Sequence, residues 1–397
     1  MPSILDNPYP FVFKTAPYSV LPFDGLASDS EIRVRTVTRA MEGFQKEALV
    51  MYGPTGTTWR IVCDEGPWLN GTDLAPFPLA YFTTGLAVSL VSEVQALVRQ
   101  RNISVGDIKV TVDSYYAMEG SIAKGTMTGS AMPVRVKFEI DAETSKAMLN
   151  ELGVLAMAAS PAIAIMSSVL NSRFLLSKNG VDVELDKAIA ATGYEVDDPA
   201  YLFDNVEPAS AQSYLPEILS KGEDGLMIVS GGSQGSGSGL AMEQKRSLHL
   251  RGVCTSRDDG IKETLVQLSK PVSGVYRILA DESARFGGAE RAPGALAYVA
   301  AGVSFCFMTQ LGRYAHLAKQ DLSDYRIVQD TWFSLPSATA DGETAAQARP
   351  VNTHVFIDSS ENDDAARKLV AMGEQSCYLH AAYRGSNRSH FVLQEST

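Results

Sequence analysis

Trp59 to Glu65 reads WRIVCDE, and 217 positions further along Tyr276 to Glu282 reads YRILADE. The same offset lays APFPLAYFTTG from Ala75 on APGALAYVAAG from Ala292, Asp107 and Asp113 on Asp324 and Asp330, and PVRVKFEID from Pro133 on PVNTHVFID from Pro350. Upstream, KEALV at Lys46 matches KETLV at Lys262 with an offset of 216, so one residue is gained or lost in a loop, where indels are best tolerated. Self-similarity at a fixed offset means that one unit is used twice.

Each copy reads in the same order: two strands, an extended loop, a long apolar helix, two or three strands, a second helix and a closing strand. Ile108 to Val112 and Val134 to Ile140 alternate polar and β-branched or apolar residues, as half-solvated antiparallel strands require. The helix from Leu79 to about Arg99 and its counterpart from Leu296 to about Leu317 are apolar on nearly every face. Such helices must be buried, and packing them against each other as an internal pseudo-dimer solves the burial problem for both copies. The expected fold class is therefore α/β (α+β), with antiparallel sheets around long buried helices. Residues 1–190 and 241–397 are expected to be the two modules, and 191–240 a linker ending in the flexible run GGSQGSGSG.

The chain has 397 residues, enough for two ordinary cores, and 45% hydrophobic against 20% charged residues is the balance of a soluble globular protein. A formal net charge of -12 disfavours nucleic acid and anionic membranes as partners. MPSILDNPYPFVFKTAP lacks the basic start and unbroken apolar run of a secretion signal, which points to the cytoplasm. Phe82 to Val98 and Val154 to Leu170 are apolar enough to question as membrane spans, but Glu93 and Pro161 interrupt them and both read as core helices. The glycine-rich run is not followed by Lys-Ser/Thr and does not read as a phosphate loop.

Four cysteines do not make a disulfide scaffold. On the repeat, Cys306 falls opposite Ser89 and Cys377 opposite Ser160, each pair 71 residues apart. One copy carries thiols where the other carries hydroxyls. Arg257, in the turn CTSRDDG, falls opposite Met41 and offers a cation to activate a thiolate. Cys63 and Cys254 fall opposite Ala280 and Thr38 and read as buried small residues. His249, His316, His354, His380 and His390 show no metal-ligand spacing with the cysteines.

AAGVSFCF from Ala300 resembles the helix of the OsmC/Ohr family, the osmotically inducible and organic hydroperoxide resistance proteins, in which a small-residue run precedes the peroxidatic cysteine. RDDG from Arg257 resembles that family's arginine-bearing turn, and Cys377 matches its second, resolving cysteine. The likeness covers about 31 to 175 and 247 to 397, which makes the chain a tandem OsmC-like pair. By this resemblance Cys306 attacks an organic hydroperoxide and becomes a sulfenic acid, Cys377 condenses with it to a disulfide, and Arg257 holds the Cys306 thiolate. The resemblance also implies a small hydrophobic hydroperoxide as substrate, no bound cofactor, and an external dithiol reductant of the lipoyl type. Whether the fused pair oligomerises further is left open. The family's carboxylate ten residues before the peroxidatic cysteine is replaced by Leu296, with Glu290 the nearest acid upstream.

Two other readings share the pocket. Glu374, Cys377 and His380, at i, i+3 and i+6, supply an acid, a thiol and a base for a hydrolase acting on a hydrophobic carbonyl compound; the blander reading makes Glu374 and His380 ordinary solvated residues at helix ends. The non-catalytic reading is a ligand-binding protein in which the thiols are inert. Ser89 and Ser160 have no identifiable base nearby and read as packing residues.

Overall fold

A computed structural model describes all residues except 17–29, 188, 195, 223–237, 271, 337, 340, 341, 344, 388 and 395–397. The first repeat supplies β1 (Val12–Lys14), β2 (Glu31–Ala40), β3 (Lys46–Tyr52), β4 (Thr57–Cys63), α1 (Pro78–Gln100), β5 (Val105–Ser121), β6 (Arg135–Ala142), α2 (Lys146–Ala159), α3 (Pro161–Ala164) and β7 (Arg173–Lys178). The second supplies β8 (Leu219–Lys221), β9 (Glu243–Ser256), β10 (Lys262–Lys270), β11 (Tyr276–Ala280), α4 (Ala295–Ala318), β12 (Asp324–Ser334), β13 (Asn352–Asp358), α5 (Asp363–Ser376), α6 (Tyr378–Arg384) and β14 (His390–Gln394).

These strands do not sort by repeat. One sheet runs β1-β4-β3-β2-β12-β13-β7 and the other β8-β11-β10-β9-β5-β6-β14. In each, the hairpin layer of one repeat is hydrogen-bonded to the central strands of the other, and the closing strand returns to the first. The outermost joins, β13 with β7 and β6 with β14, are parallel, so the sheets are mixed rather than purely antiparallel. A strand arriving from the other repeat comes by a long crossover, which permits parallel pairing where a hairpin would not. Both seams are pinned by ions. Asp330 on β12, fully buried, takes Arg35 of β2 at 2.8 and 2.7 Å and also binds Arg33. Its counterpart Asp113 on β5 takes Arg251 of β9 at 2.8 and 2.9 Å and His249 at 2.7 Å.

α1 and α4 lie between the sheets and against each other. A Cβ on Gly85 would stand 2.5 Å from Val299 Cγ2 and 2.7 Å from the Ala295 carbonyl oxygen; on its counterpart Gly302 it would stand 2.8 Å from the Phe82 nitrogen. These two glycines let the helix backbones meet. Beside them Tyr81 and Tyr298, again one repeat offset apart, stack at 5.9 Å, and each hydroxyl donates at 2.6 Å to a strand carbonyl, Val62 or Leu279. Both helices are long and apolar enough to cross a membrane, yet their most apolar windows are 78% and 94% buried in this core.

The stretch Val154 to Leu170, expected as one core helix, is broken at Ser160 into α2 and α3, and Val154 and Val169 are exposed. Within the expected linker, Leu202 and Phe203 pack on Val37, Leu49, Val328 and Phe356, and β8 extends the second sheet as β1 extends the first. The glycine-serine run lies outside the described residues up to 237. Its last glycine, Gly239, is held at both ends of its peptide unit: its N–H donates to Trp68 O at 2.6 Å and its carbonyl accepts from Arg313 Nε at 2.6 Å.

Candidate functional site

Cys306 sits at the middle of α4, the helix that packs on α5 and α6. Cys377 ends α5 and starts α6, so its side chain takes the N-cap position and accepts the His380 N–H at 3.5 Å. The two sulfurs are 3.3 Å apart, and both residues are buried. A disulfide bond measures about 2.05 Å, so closing one here calls for a shift of little more than an ångström. The first repeat builds the same junction with oxygen: Ser160 Oγ caps α3 through the Ile163 N–H at 3.2 Å and lies 2.8 Å from Ser89 Oγ.

Burial favours the neutral form of both thiols, and the hydrogen bond between the two sulfurs then drives their pKa values apart. The Cys377 thiol is driven well below its ordinary range because, against burial, the bond from Cys306, the nearby His380 imidazole and the His380 N–H all favour its thiolate. The Cys306 thiol is driven well above its range, by burial and then by the negative charge on Cys377 to which it donates. When the pair carries a single negative charge, this ordering favours it on Cys377, with the proton on Cys306. Neither ring nitrogen of His380 has a hydrogen-bond partner among the described residues; Phe307 and Phe174 enclose the ring at 5.0 and 5.5 Å.

Cys306 opens onto a small cavity of about 30 Å³. Its apolar wall comes from both repeats: Trp68, Leu69, Phe77 and Leu79 from the first, Leu248 and Leu268 from the second. Glu65, also from the first repeat, accepts Thr309 Oγ1 at 2.6 Å and lies 3.8 Å from the buried Lys46 ammonium. Burial raises the Glu65 pKa, with Lys46 and Thr309 opposing. Arg246 Nε donates to Tyr378 Oη at 3.3 Å on the cavity wall. Behind it the guanidinium of Arg313, one-hundredth exposed, donates to the Gly239 carbonyl and, at 3.2 Å, to Gln310 Oε1.

Of the three expected site residues, the structure brings Cys306 and Cys377 together and leaves Arg257 apart. Arg257 sits on the exposed β9–β10 turn, bonded to Asp259 at 3.0 Å, and does not line the thiol cavity. That turn is tied instead to α1, where Gln95 Nε2 donates to Ser256 Oγ at 2.8 Å. Leu296 and Glu290 likewise line the cleft around Ser89, not the cavity around Cys306, and Glu290 accepts Thr55 and Thr57 hydroxyls at 2.7 and 2.9 Å. The position that faces Cys306 in place of Leu296 is its counterpart Leu79. The cause is the strand exchange: each site is walled by the opposite repeat.

Glu374 is paired with Arg384, so of the three residues Cys377 and His380 act on each other while the acid is engaged elsewhere. His380 is fully buried rather than solvated. Cys63 and Cys254 are buried in strands, where desolvation raises the first pKa well above its ordinary value and the second to about 12. Among the described residues no group of three or more His, Cys, Asp or Glu side chains is placed to hold a metal ion. Arg246, Arg313 and Glu65 were not singled out by the sequence. A signal was available, because Arg313, Gln310 and Tyr378 stand opposite Ala96, Glu93 and Pro161 in the repeat.

Residues 287–388 match the model of the family described as OsmC-like protein. Among solved structures, an OsmC-like hydroperoxide resistance protein from Jannaschia sp. CCS1 is 20% identical over 32% of this chain and 79% of its own, with a TM-score of 0.21. An osmotic stress induced and detoxification response protein from Psychrobacter arcticus 273-4 is 15% identical over 36% of this chain and 90% of its own, with a TM-score of 0.25. No curated protein matches the sequence.

Proposed function

With the segment 287–388 an OsmC-like domain, we propose that the protein reduces organic hydroperoxides with the Cys306–Cys377 pair. The observation that supports this reading is the pair itself: two buried sulfurs 3.3 Å apart, one of them on the wall of an apolar cavity. Cys306 meets the substrate and Cys377 stores the charge. As Cys377 takes the Cys306 proton, the Cys306 sulfur attacks the distal peroxide oxygen; the O–O bond breaks, the alkoxide leaves and takes a proton to become an alcohol, and Cys306 becomes a sulfenic acid. The Cys377 thiol then loses its proton and attacks the Cys306 sulfur, the S–O bond breaks, and the departing hydroxide is protonated to water. The sum is one hydroperoxide, one thiol, one thiolate and one proton from solvent giving one alcohol, one water and one disulfide.

In this assignment Cys377 is first the base and then the resolving thiol, and Arg257 has no part. The apolar walls suit an alkyl or aryl hydroperoxide better than hydrogen peroxide. An external dithiol would return the disulfide to two thiols by exchange.

The test is a free-thiol count with mass mapping on fully reduced protein, before and after one equivalent of cumene hydroperoxide. Loss of two thiols and a Cys306–Cys377 cross-link within seconds is the expected result. Four free thiols after minutes would sink the proposal.

A further inference from the structure

The second step of the reaction moves two protons inside a closed site: the Cys377 thiol must lose one, and the hydroxide leaving Cys306 must gain one. Both sulfurs are buried, and the cavity beside Cys306 has room for little more than a water molecule. A group inside the site that takes the first proton and returns it as the second spares this step any exchange with solvent.

His380 is placed for that work. Cys377 is the N-cap of α6 and His380 the third residue of that helix, bound to the cap through its own N–H at 3.5 Å. Side chains lean toward the start of their helix, so a residue at this position reaches back over its cap. The imidazole acts on the Cys377 thiol, and Phe307 and Phe174 enclose it. The residue is wholly buried, and neither ring nitrogen is spent on another group among the described residues. Leaving a buried polar ring unpaired costs stability, and the frame does not require it. In the twin, Ile163 stands third behind the Ser160 cap and fills the same position with hydrocarbon.

The charged groups of the thiol site are engaged elsewhere. Glu374 and Arg384 hold each other, Arg313 of α4 donates to Gly239 and Gln310, Arg246 of β9 donates to Tyr378, and Glu65 is held by Thr309 and Lys46. Burial pushes the phenols of Tyr116 and Tyr383 up, which keeps both neutral at pH 7. We propose that His380 is the proton carrier of disulfide closure, an assignment that rests on the peroxide chemistry proposed above. A ring nitrogen takes the Cys377 proton as that sulfur attacks the Cys306 sulfenic acid. The S–S bond forms, the S–O bond breaks, and the imidazolium gives its proton to the departing hydroxide, which leaves as water. The imidazole is restored, and no proton crosses to solvent in this step.

The experiment mixes reduced full-length protein with cumene hydroperoxide in rapid quench between about pH 6 and pH 8. Disulfide closure is followed by mass mapping, and the Cys306 sulfenic acid is trapped with dimedone. Wild-type closure is expected to stay nearly level across this range. In His380→Ile, which copies the twin, and in His380→Gln, which is polar but not basic, closure at the acid end is expected to fall about a hundredfold. It should then climb about tenfold per pH unit as solvent takes the Cys377 proton, and the sulfenic acid should persist long enough to be trapped. Variants that close at the wild-type rate, or that are slowed equally at every pH as a structural role would dictate, overturn the proposal. So does a wild-type rate that itself climbs tenfold per pH unit, an outcome that needs no variant to fold. The two proposals fail distinguishably: wild type that forms no disulfide with hydroperoxide removes the peroxidase reading and this step with it, whereas closure that is the same in wild type and variants removes the carrier alone.

Discussion

The two halves build the same site twice and furnish it differently. Gly85 and Gly302 set the helix contact, Tyr81 and Tyr298 stack across it, Glu65 and Glu282 reach over to Thr309 and Ser92 at 2.6 and 3.2 Å, and a side chain at each helix break meets one on the long helix. Around the second repeat's long helix stand two thiols, a buried histidine and two guanidinium groups. Around the first stand two hydroxyls, the half-buried carboxyl of Glu93, the buried one of Glu282, and Tyr52. Burial and then the neighbouring Glu282 lift Glu93 to about 8, so this cleft is neutral or acidic where the other is cationic. The frame thus dictates that two side chains 71 residues apart will touch; it does not dictate what they do. Chemistry is set by the shell, and the shell of each site comes largely from the other repeat.

The sharpest way to break the contrast is to make the thiol site resemble its twin. Cys306→Ser retains a hydroxyl for Cys377 to touch, as Ser89 touches Ser160, and costs little packing. Its rate of peroxide-driven thiol loss is expected to fall on the order of 10³-fold or more, read by stopped-flow thiol counting. A fall of only a few-fold would mean that the reacting sulfur lies elsewhere.

The next effect lies in the seams. Asp330 is wholly buried between Arg33 and Arg35, whereas Asp113 meets Arg251 and His249 at a partly solvated surface. Asp330→Ala is expected to cost about 3–5 kcal/mol by leaving two arginines without their acid, and Asp113→Ala about 1–2 kcal/mol, both from urea titration. Against the cost of burial, the bonds from His249 and Arg251 hold the Asp113 pKa below its ordinary value. A depressed folded pKa makes the Asp113 contribution whole above an unfolded value of about 3.9, and lost as pH falls through the folded one. Asp113→Asn should therefore differ from wild type in melting temperature at neutral pH and converge with it on the acid side.

At the helix contact, Gly85→Ala places a methyl group against Val299 Cγ2 and the Ala295 carbonyl, one of them backbone that cannot yield. The cost expected is about 1–3 kcal/mol. Because this contact holds both sites, the variant should slow the thiol chemistry as well, although Gly85 belongs to the serine-bearing repeat.

Much of this was legible in the repeat. The offset places Cys306 opposite Ser89 and Cys377 opposite Ser160, and touching within one pair implies touching within the other. Both long helices fall where continuous apolarity required. What an offset cannot say is which copy faces which, because equivalence along the chain carries no information about strand exchange between copies. That is why Arg257, Leu296 and Glu290 point to Cys306 when read in line, yet stand beside Ser89 or on its side of the molecule. β1 and β8 were invisible for a different reason: they match at an offset of 207, through a segment whose length differs, and three residues are too few for a pattern. The buried state of His380 was also out of reach, since the chain turns sharply at Cys377 and carries the residue inward from what reads as one continuous helix.

The mildest prediction tests whether frame or shell activates the thiols. Ser89→Cys with Ser160→Cys, in a chain where Cys306→Ser and Cys377→Ser silence the native pair, moves the sulfurs into the twin site. The cap donor is already there, the Ile163 N–H. The imidazole is not, since Ile163 stands where His380 stands, and Glu93 and Glu282 line the cleft in place of Gln310 and Glu65. A thiolate there has a cap but carboxyl neighbours and no imidazole, so its pKa should be higher, and each unit above working pH removes about tenfold of the reactive form. The grafted pair is therefore expected to form its disulfide at least tenfold more slowly than the native pair at pH 7, and to recover part of that loss as pH rises. If the two pairs react alike at pH 7, the cap and the 71-residue spacing suffice, and the residues that distinguish the sites serve to select the substrate rather than to activate sulfur.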